Sequence, residues 1–147
     1  MSEFQIAFNP PLPAVAAMDP PMRLDDVNVA AVTTGYRIEH DVLYSIGGKV
    51  FAYYPASILT VLNDLHLEWC LIRERCTHDV TLAGYTVLEA VFEEGCFQFR
   101  SPAWPPAPVC GRFEADYLER KFRSAVAEVW GLVRSIQNAD NPGQLSI

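Results

Sequence analysis

Cysteine and histidine side chains in the second half of the chain are the first candidates for chemistry, because thiolate and imidazole groups bind metals and act as nucleophiles or bases. Cys70, Cys76 and His78 lie close together, and Cys96 and Cys110 follow. Zinc ribbons and knuckles place their ligands in pairs two to four residues apart, which this spacing does not reproduce. The spacing favours structural thiols, and we predict no metal and no other cofactor.

A helical interpretation of residues 56–73 still places His66 and Cys70 on one face, one turn apart. Two ligands do not complete a metal site. Whether Cys70, Cys76, His66 or His78 ever bind a metal is an alternative that the sequence leaves open. Buried, reduced thiols are the interpretation that we carry forward.

Nucleophilic catalysis would need a serine or cysteine beside a positioned base. The chain has three histidines and no Gly-x-Ser-x-Gly elbow. His40 and Asp41 are adjacent, so on a strand their side chains point to opposite faces. Carboxylate pairs occur at 25–26 and 93–94, but neighbouring carboxylates in a turn are normally solvated, whereas acid–base catalysis needs one of them in an apolar pocket. We therefore predict that the protein is not an enzyme.

The candidates for partner binding are acidic residues at predicted turns and tryptophans near the surface. They are Glu39, Asp41, Glu93, Glu94, Trp104 and Trp130. The carboxylates could pair with a basic partner, although most such residues are simply solvated. Trp130 borders the apolar stripe of the last predicted helix, and Trp104 lies between prolines in a loop. Each tryptophan is either an exposed anchor or a packed side chain, and packing is the preferred interpretation.

Charge is distributed unevenly along the 147 residues, which carry a formal net charge of -7. Residues 1–99 hold 5 basic and 13 acidic side chains, a net of -8, whereas residues 100–147 hold 6 and 5, a net of +1. Nucleic-acid binders need clustered Lys and Arg, so this balance argues against that class. The acidic part would steer a basic protein partner towards it, and the alternative is a contribution to solubility alone.

Length and hydropathy predict one domain, residues 1–147, in the cytoplasm. The apolar run at 12–18 is short, contains proline and is preceded by no Lys or Arg, unlike a signal peptide. No segment approaches the length of a membrane span. We therefore expect reduced thiols, a protein partner and neither nucleic acid nor membrane, with a monomer favoured over a dimer.

The first quarter of the chain predicts a short strand followed by a tether. Phe4, Ile6 and Phe8 alternate with other residues, as in a strand with one buried face. Five of the eleven prolines lie between Pro10 and Pro21, so residues 9–24 are predicted to be an extended connection without helix. A partner-binding arm of polyproline type is the alternative.

Alternating or continuous apolar residues predict strands at 27–31, 36–38, 42–46 and 49–54. Gly47 and Gly48 separate the last two, and glycine supplies the positive φ of a two-residue hairpin turn. A phosphate-binding loop would have to open a helix, whereas a strand follows here.

Beyond residue 55, two amphipathic helices alternate with strands. Helical spacing predicts a helix over 56–73, entered at Pro55 and Ser57, although 65–72 also alternates as a strand would. Residues 80–92 and 96–101 are predicted to form a hairpin that turns at 93–95, with Phe97 and Phe99 facing the core. A proline-rich loop follows, and Gly111 precedes the last helix.

The last helix is predicted over 113–137, where one apolar stripe recurs at steps of three and four. Its members are Leu118, Phe122, Val126, Val129, Val133 and Ile136. The tail at 138–147 is predicted to fray. Together the elements predict an α+β domain, a single antiparallel sheet of about six strands with two helices packed on one face.

Three segments of the chain carry a resemblance to a known class of proteins. They are YPASIL and LNDL at 54–59 and 62–65, the hairpin FEEGCFQF at 92–99, and the helix at 113–136. Over residues 42–136 the pattern resembles small immunity-type proteins of bacterial polymorphic toxin systems. The resemblance implies a single α+β domain that neutralises a toxin by binding it, and it carries over no functional residues, since such proteins use family-specific surfaces.

These observations lead to a non-enzymatic, cytoplasmic binding protein that forms a tight complex with a toxin. An acidic secretion chaperone is the alternative, and it differs because it would dimerise and hold an unfolded segment. A small-molecule or metal enzyme is the third and least favoured class.

Overall fold

The computed structural model describes residues 3–101 and 109–140. Within these ranges the chain forms seven strands and three helices, in the order β1 Phe4–Asn9, α1 Val29–Gly35, β2 Glu39–Ile46, β3 Lys49–Ser57, α2 Ile58–Arg73, β4 His78–Leu82, β5 Tyr85–Glu93, β6 Cys96–Arg100, β7 Val109–Glu114 and α3 Ala115–Asp140. The α+β class is as predicted. None of the described helices is long and apolar enough to cross a membrane.

The strands form two antiparallel sheets, so the prediction of a single sheet of about six strands is wrong. One sheet has the order β1-β2-β3 and the other has the order β4-β5-β6-β7. α2 separates them in the chain, because Ser57 is both the last residue of β3 and the N-cap of α2, where its Oγ accepts from the Thr60 N–H at 3.4 Å. Alternation in a sequence identifies strands but does not show which edges pair.

The predicted strand at 27–31 is wrong, since Val29–Gly35 is the additional helix α1. Asn28 caps it by accepting from the Ala31 N–H at 3.1 Å, which satisfies one of the unpaired donors of the first turn. Ala31 and Val32 are buried, and α1 packs on α3. Tertiary burial of one short face has outweighed the strand preference of the valines.

Further element boundaries also differ from prediction. The strand predicted at 36–38 is wrong, since these residues belong to no strand and β2 begins at Glu39. Residues 80–92 are not one strand, because Ala83 and Gly84 adopt φ of 51° and 83° and turn β4 back into β5. β7 was not predicted, and α3 begins at Ala115 rather than at residue 113. Gly111 lies in β7, where an added Cβ would come within 2.8 Å of the Ile46 side chain.

The predicted hairpins and amphipathic helices are confirmed. Gly47 and Gly48 adopt φ of 59° and 81°, and Glu94 and Gly95 turn β5 into β6 at 53° and 77°. Residues 65–72 are helical throughout, so the strand alternative there is wrong. α3 reaches Asp140, which makes 138–140 helical, and the remainder of the predicted tail lies outside the described residues.

The two long helices, α2 and α3, pack on each other and cover both sheets. The α3 stripe is buried from Leu118 to Val133, and Ile136 is half-buried against the same core. Phe4 of β1 contacts aromatic rings from several elements, namely Tyr44, Phe99, Phe113 and Phe122. The first strand is therefore held in place by residues from the whole length of the chain.

The proline-rich segment between β1 and α1 contains neither helix nor strand, and it lies against the helices as a strap. The Met18 N–H donates to the Ala127 carbonyl at 3.1 Å, and the Gln137 Nε2–H donates to the Asp26 carbonyl at 3.1 Å. Gly131 permits the close approach, because a Cβ there would lie 2.2 Å from the Ala16 carbonyl oxygen. We call residues 10–28 the strap.

Candidate functional site

A polar pair is buried between α2 and β4. His78 Nε2 lies 2.6 Å from Glu68 Oε2, and the two side chains are 6% and 4% exposed. Glu68 is on the core face of α2, and His78 begins β4, so the pair holds the helix to the second sheet. The Phe97 ring meets the imidazole edge to face at 5.7 Å.

The hydrogen-bond partners define the protonation state of this pair. His78 Nδ1 lies 2.8 Å from the Cys76 carbonyl oxygen, which can only accept, so Nδ1 carries a proton, and Nε2 shares a second proton with the Glu68 carboxyl. Burial opposes the charge, but the hydrogen bond and charge of Glu68 outweigh it and raise the pKa of His78. Burial also raises the pKa of Glu68, against the opposing effect of His78. Because the imidazole has two acceptors, the imidazolium–carboxylate form is the one that the geometry stabilises.

Tyr44 of β2 is a third polar group of this region. Burial, followed by the charges of Glu68 and Asp64, raises the pKa of Tyr44 well above its ordinary value. Its hydroxyl has no hydrogen-bond partner within the described residues. Asp64 is held to the β4–β5 turn, since its Oδ2 accepts from the Ala83 N–H at 2.7 Å. The glutamate and histidine could exchange a proton, but neither lines the three grooves described beside β1, beside Asp19 and beside Tyr117.

The other two histidines hold the strap at Pro10 and at Pro21. His40, 1% exposed on β2, contacts the Pro10 carbonyl oxygen through Nδ1 and the Tyr36 hydroxyl through Nε2. His66 Nε2, on α2, donates to the Pro21 carbonyl oxygen at 2.8 Å. All three histidine rings are therefore bound to main-chain carbonyls inside the fold. A buried carbonyl without such a donor would cost about 1–3 kcal/mol.

The described cysteines are less buried than the sequence analysis expected. Cys70, Cys76 and Cys96 are half-buried and unbridged. The Cys70 Sγ lies 3.8 Å from His66 Nδ1, which is the predicted one-turn neighbour. Across residues 3–101 and 109–140, no three His, Cys, Asp or Glu side chains come together as a metal site.

The acidic candidates lie in two different sheets. Glu39 is exposed and Asp41 is half-buried, and as next-but-one residues of β2 they share the face opposite His40. Glu93 and Glu94 are exposed at the β5–β6 turn, where Glu94 lies 3.7 Å from Arg112 of β7. At that distance and exposure the ion pair contributes little to stability, so these carboxylates remain accessible.

The tryptophan candidates do not provide an exposed anchor among the described residues. Trp130 is only 6% exposed, with the Arg134 guanidinium 5.7 Å from its ring centroid, so it is packed rather than presented to a partner. Trp104 lies outside the described residues. Tyr53 of β3 and Tyr85 of β5, which are 63% and 60% exposed, are aromatic side chains that the described surface does present.

Sequence reasoning missed Glu68, although the sequence contains a signal for it. Glu68 follows Leu65 by three residues and precedes Ile72 by four, which places a carboxylate on the apolar stripe of α2. A charged residue at such a position predicts a buried partner. The partner could not be identified, because His78 is brought to Glu68 only by the corner at 74–77.

The corner at 74–77 is also stabilised by contacts at the protein surface. Arg75, with φ of 57°, donates through Nη1 to the Ile72 carbonyl at 2.7 Å and to Glu119 of α3 at 2.9 Å. Its Nη2 pairs with Asp116. The buried pair and this surface cluster therefore join α2 to β4 and to α3 at one place.

No protein-family model matches the chain, and no curated protein or solved structure shows detectable similarity to it.

Proposed function

We propose that this protein acts by binding another protein, as an immunity-type protein that neutralises a toxin by forming a tight complex with it. The observation that carries the proposal is that all three histidines, the side chains best suited to acid–base chemistry at neutral pH, are bound to main-chain carbonyls and hold the fold together. Exposed carboxylates and the overall charge of -7 are consistent with a basic partner.

The proposed mechanism is occlusion. A toxin with a basic surface would be attracted to the acidic side chains of β2 and of the β5–β6 turn, which increases the association rate. Stability of the complex would then come from apolar and main-chain contacts, since exposed ion pairs contribute little. In this proposal no side chain of the chain takes part in bond breaking.

Co-expression with a toxin encoded beside this protein tests the proposal. We expect growth to be rescued and a one-to-one complex to be recovered by size-exclusion chromatography. A variant with Glu39, Asp41, Glu93 and Glu94 changed to the corresponding amides should associate more slowly, and the difference should shrink at high salt. Failure both to rescue growth and to form a complex would contradict the proposal.

The secretion-chaperone alternative predicts a dimer. Molecular mass measured across a range of protein concentrations distinguishes the two classes, because only the chaperone is expected to be dimeric without its partner. A stable dimer that binds an unfolded segment would replace the immunity proposal.

A further inference from the structure

The outer edge of β1 is open over its central and last residues. β1 is the end strand of its sheet and pairs only with β2, in an uninterrupted register from Phe4 opposite Ile46 to Asn9 opposite Asp41. The Tyr117 hydroxyl of α3 closes the start of the edge, because it accepts from the Phe4 N–H at 3.1 Å and lies 3.3 Å from the Phe4 carbonyl oxygen.

These contacts show which residues of β1 point outwards. The N–H and C=O of one residue in an antiparallel strand point to the same side, and the side alternates along the strand. The Phe4 groups face α3, whereas the Glu3 carbonyl accepts from the Gly47 N–H at the end of β2. Ile6 and Phe8 therefore direct their main-chain groups away from β2, as Phe4 does.

The four outward main-chain groups of Ile6 and Phe8 have no hydrogen-bond partner within residues 3–101 and 109–140. No lysine or proline lies within Phe4–Asn9, and no bulge interrupts the register, so three of the usual protections of an edge strand are missing here. An unprotected edge with alternating donors and acceptors is a template for one more strand.

An open groove runs along this edge. Its volume is ≈ 530 Å³, and it is lined by Ile6, Ala7 and Phe8 on one side and by residues of the strap from Pro11 to Ala17 on the other. Glu128 of α3 also lines it, and this exposed carboxylate forms no ion pair with the described residues. We call this space the edge groove.

From this geometry we infer that the edge groove binds an extended segment of a partner protein, which adds to β1 as a fourth strand of the first sheet and directs a Lys or Arg towards Glu128. The main-chain groups of Ile6 and Phe8 supply the ladder, and the apolar strap residues Leu12 and Val15 contact the alternate side chains. The inference specifies how the proposed protein partner would be held.

A second copy of the chain is the competing occupant. Pairing two β1 edges would bring the unpaired carboxylate of Glu128 from each copy to the same interface, and each copy carries a net charge of -7. Like charges brought together across an interface oppose association. A basic extended segment has the complementary charge.

Amide hydrogen exchange of the intact protein, with and without a probe peptide, tests the inference. The probe is a capped pentapeptide of alternating valine and lysine at millimolar concentration. In the free protein we expect the Ile6 and Phe8 amides to exchange quickly and the Ala7 amide, which faces β2, to be protected. The probe should slow exchange at Ile6 and Phe8, and an N-methylated version of the peptide should not.

The charge requirement is tested separately with a peptide in which glutamate replaces lysine. Wild-type protein should prefer the lysine peptide by about tenfold, and Glu128→Lys should reverse the preference. Glu89→Lys, which changes an exposed carboxylate on the other sheet, is the matched control and should leave the preference unchanged.

Three results would overturn the inference. The first is that millimolar probe does not slow exchange at Ile6 and Phe8, and the second is that these amides are already protected in the free protein at all concentrations. The third is that they become protected when only the protein concentration is raised, which would indicate a second copy. The result is independent of the toxin experiment. Probe binding without rescue of growth would contradict the immunity proposal and leave the edge groove as a binding site. Rescue of growth without probe binding would support the immunity proposal and contradict binding at the edge groove.

Discussion

Polar groups at the buried histidine sites have partners within the chain, whereas those along the edge groove do not have partners among the described residues. Around His40, His66 and His78, side chains from strands and helices meet main-chain carbonyls of the same chain, and Glu68, the one buried carboxylate among the described residues, is paired at 2.6 Å. Along β1, main-chain donors and acceptors stay open beside an apolar wall. The first region completes itself on folding, whereas the second is left for another molecule, so changes in the two should affect different properties.

The largest effect is expected from Glu68→Ala. It removes one partner of a buried pair and leaves His78 without its carboxylate, which should lower the free energy of unfolding by about 3–5 kcal/mol. Urea denaturation measures the change. Glu89→Ala, which removes an exposed carboxylate, is the control and should stay within about 0.5 kcal/mol of the wild type. A similar loss of unfolding free energy in both variants would mean that the buried pair contributes no more to stability than an exposed carboxylate does.

A smaller loss is expected from Gly131→Ala. In an ordinary helix interior this change stabilises by roughly 0.5–1 kcal/mol, but here the added Cβ would meet the Ala16 carbonyl oxygen at 2.2 Å. The strap must move, and we expect a loss of about 1–3 kcal/mol together with faster exchange of the Met18 amide. Ser135→Ala, on the exposed side of the same helix, is the control. Stabilisation by Gly131→Ala would show that the strap does not pack tightly on α3.

Raising the pH into the alkaline range should weaken the buried ion pair of Glu68 and His78 more than it affects the open edge of β1. The pKa of His78 is raised above its ordinary value of 6.5, so the folded chain holds this proton more tightly than the unfolded chain. The contribution is fully present below 6.5 and is lost as the pH rises through the raised value. The charges of Glu68 and Asp79 act on His78, and the pKa of Tyr44, which is raised by burial and then by the charges of Glu68 and Asp64, lies above 10.0.

We therefore expect the free energy of unfolding to fall as the pH rises from 6.5 towards 9. The double variant Glu68→Gln, His78→Asn should show a flatter dependence, measured by chemical denaturation at each pH. Stability that increases over this range in the wild type, or equal slopes in the two proteins, would contradict the assigned protonation.

The smallest effect on stability is expected from Glu128→Lys. This carboxylate is exposed and lines the edge groove without an ion pair in the described chain, so the change should alter the free energy of unfolding by less than about 0.5 kcal/mol. Thermal denaturation measures it. A loss comparable to that of Gly131→Ala would mean that Glu128 serves the fold rather than a partner.

Local pattern predicted the elements whose signal lies within a few residues. The α3 stripe, the helix that is entered near Ser57 and the turn at Gly47 and Gly48 each depend on neighbours along the chain, and each is confirmed. The short helix at Val29–Gly35 was misassigned, because valine alternation favours a strand unless packing on α3 is known. The turn at Ala83 was missed because alanine rarely adopts a positive φ.

Features that depend on distant contacts could not be predicted. The division into two sheets, the meeting of Glu68 with His78 and the histidine contacts to the strap all join residues that only the fold brings together. The orientation of the open edge was equally hidden, since it follows from the contact between Phe4 and Tyr117 rather than from the sequence of β1. The chemical candidates were visible as residue types, but their partners were not.

The position of Phe4 has a consequence for biosynthesis. β1 precedes α3 in the chain, yet the Phe4 side chain packs on Phe99, Phe113 and Phe122, and the strap rests on Ala127 and Gly131. Until the ribosome has added these residues, Phe4 can contact only its neighbours in the first sheet, such as Tyr44. The edge groove that we assign to a partner is therefore completed only after α3 has been translated.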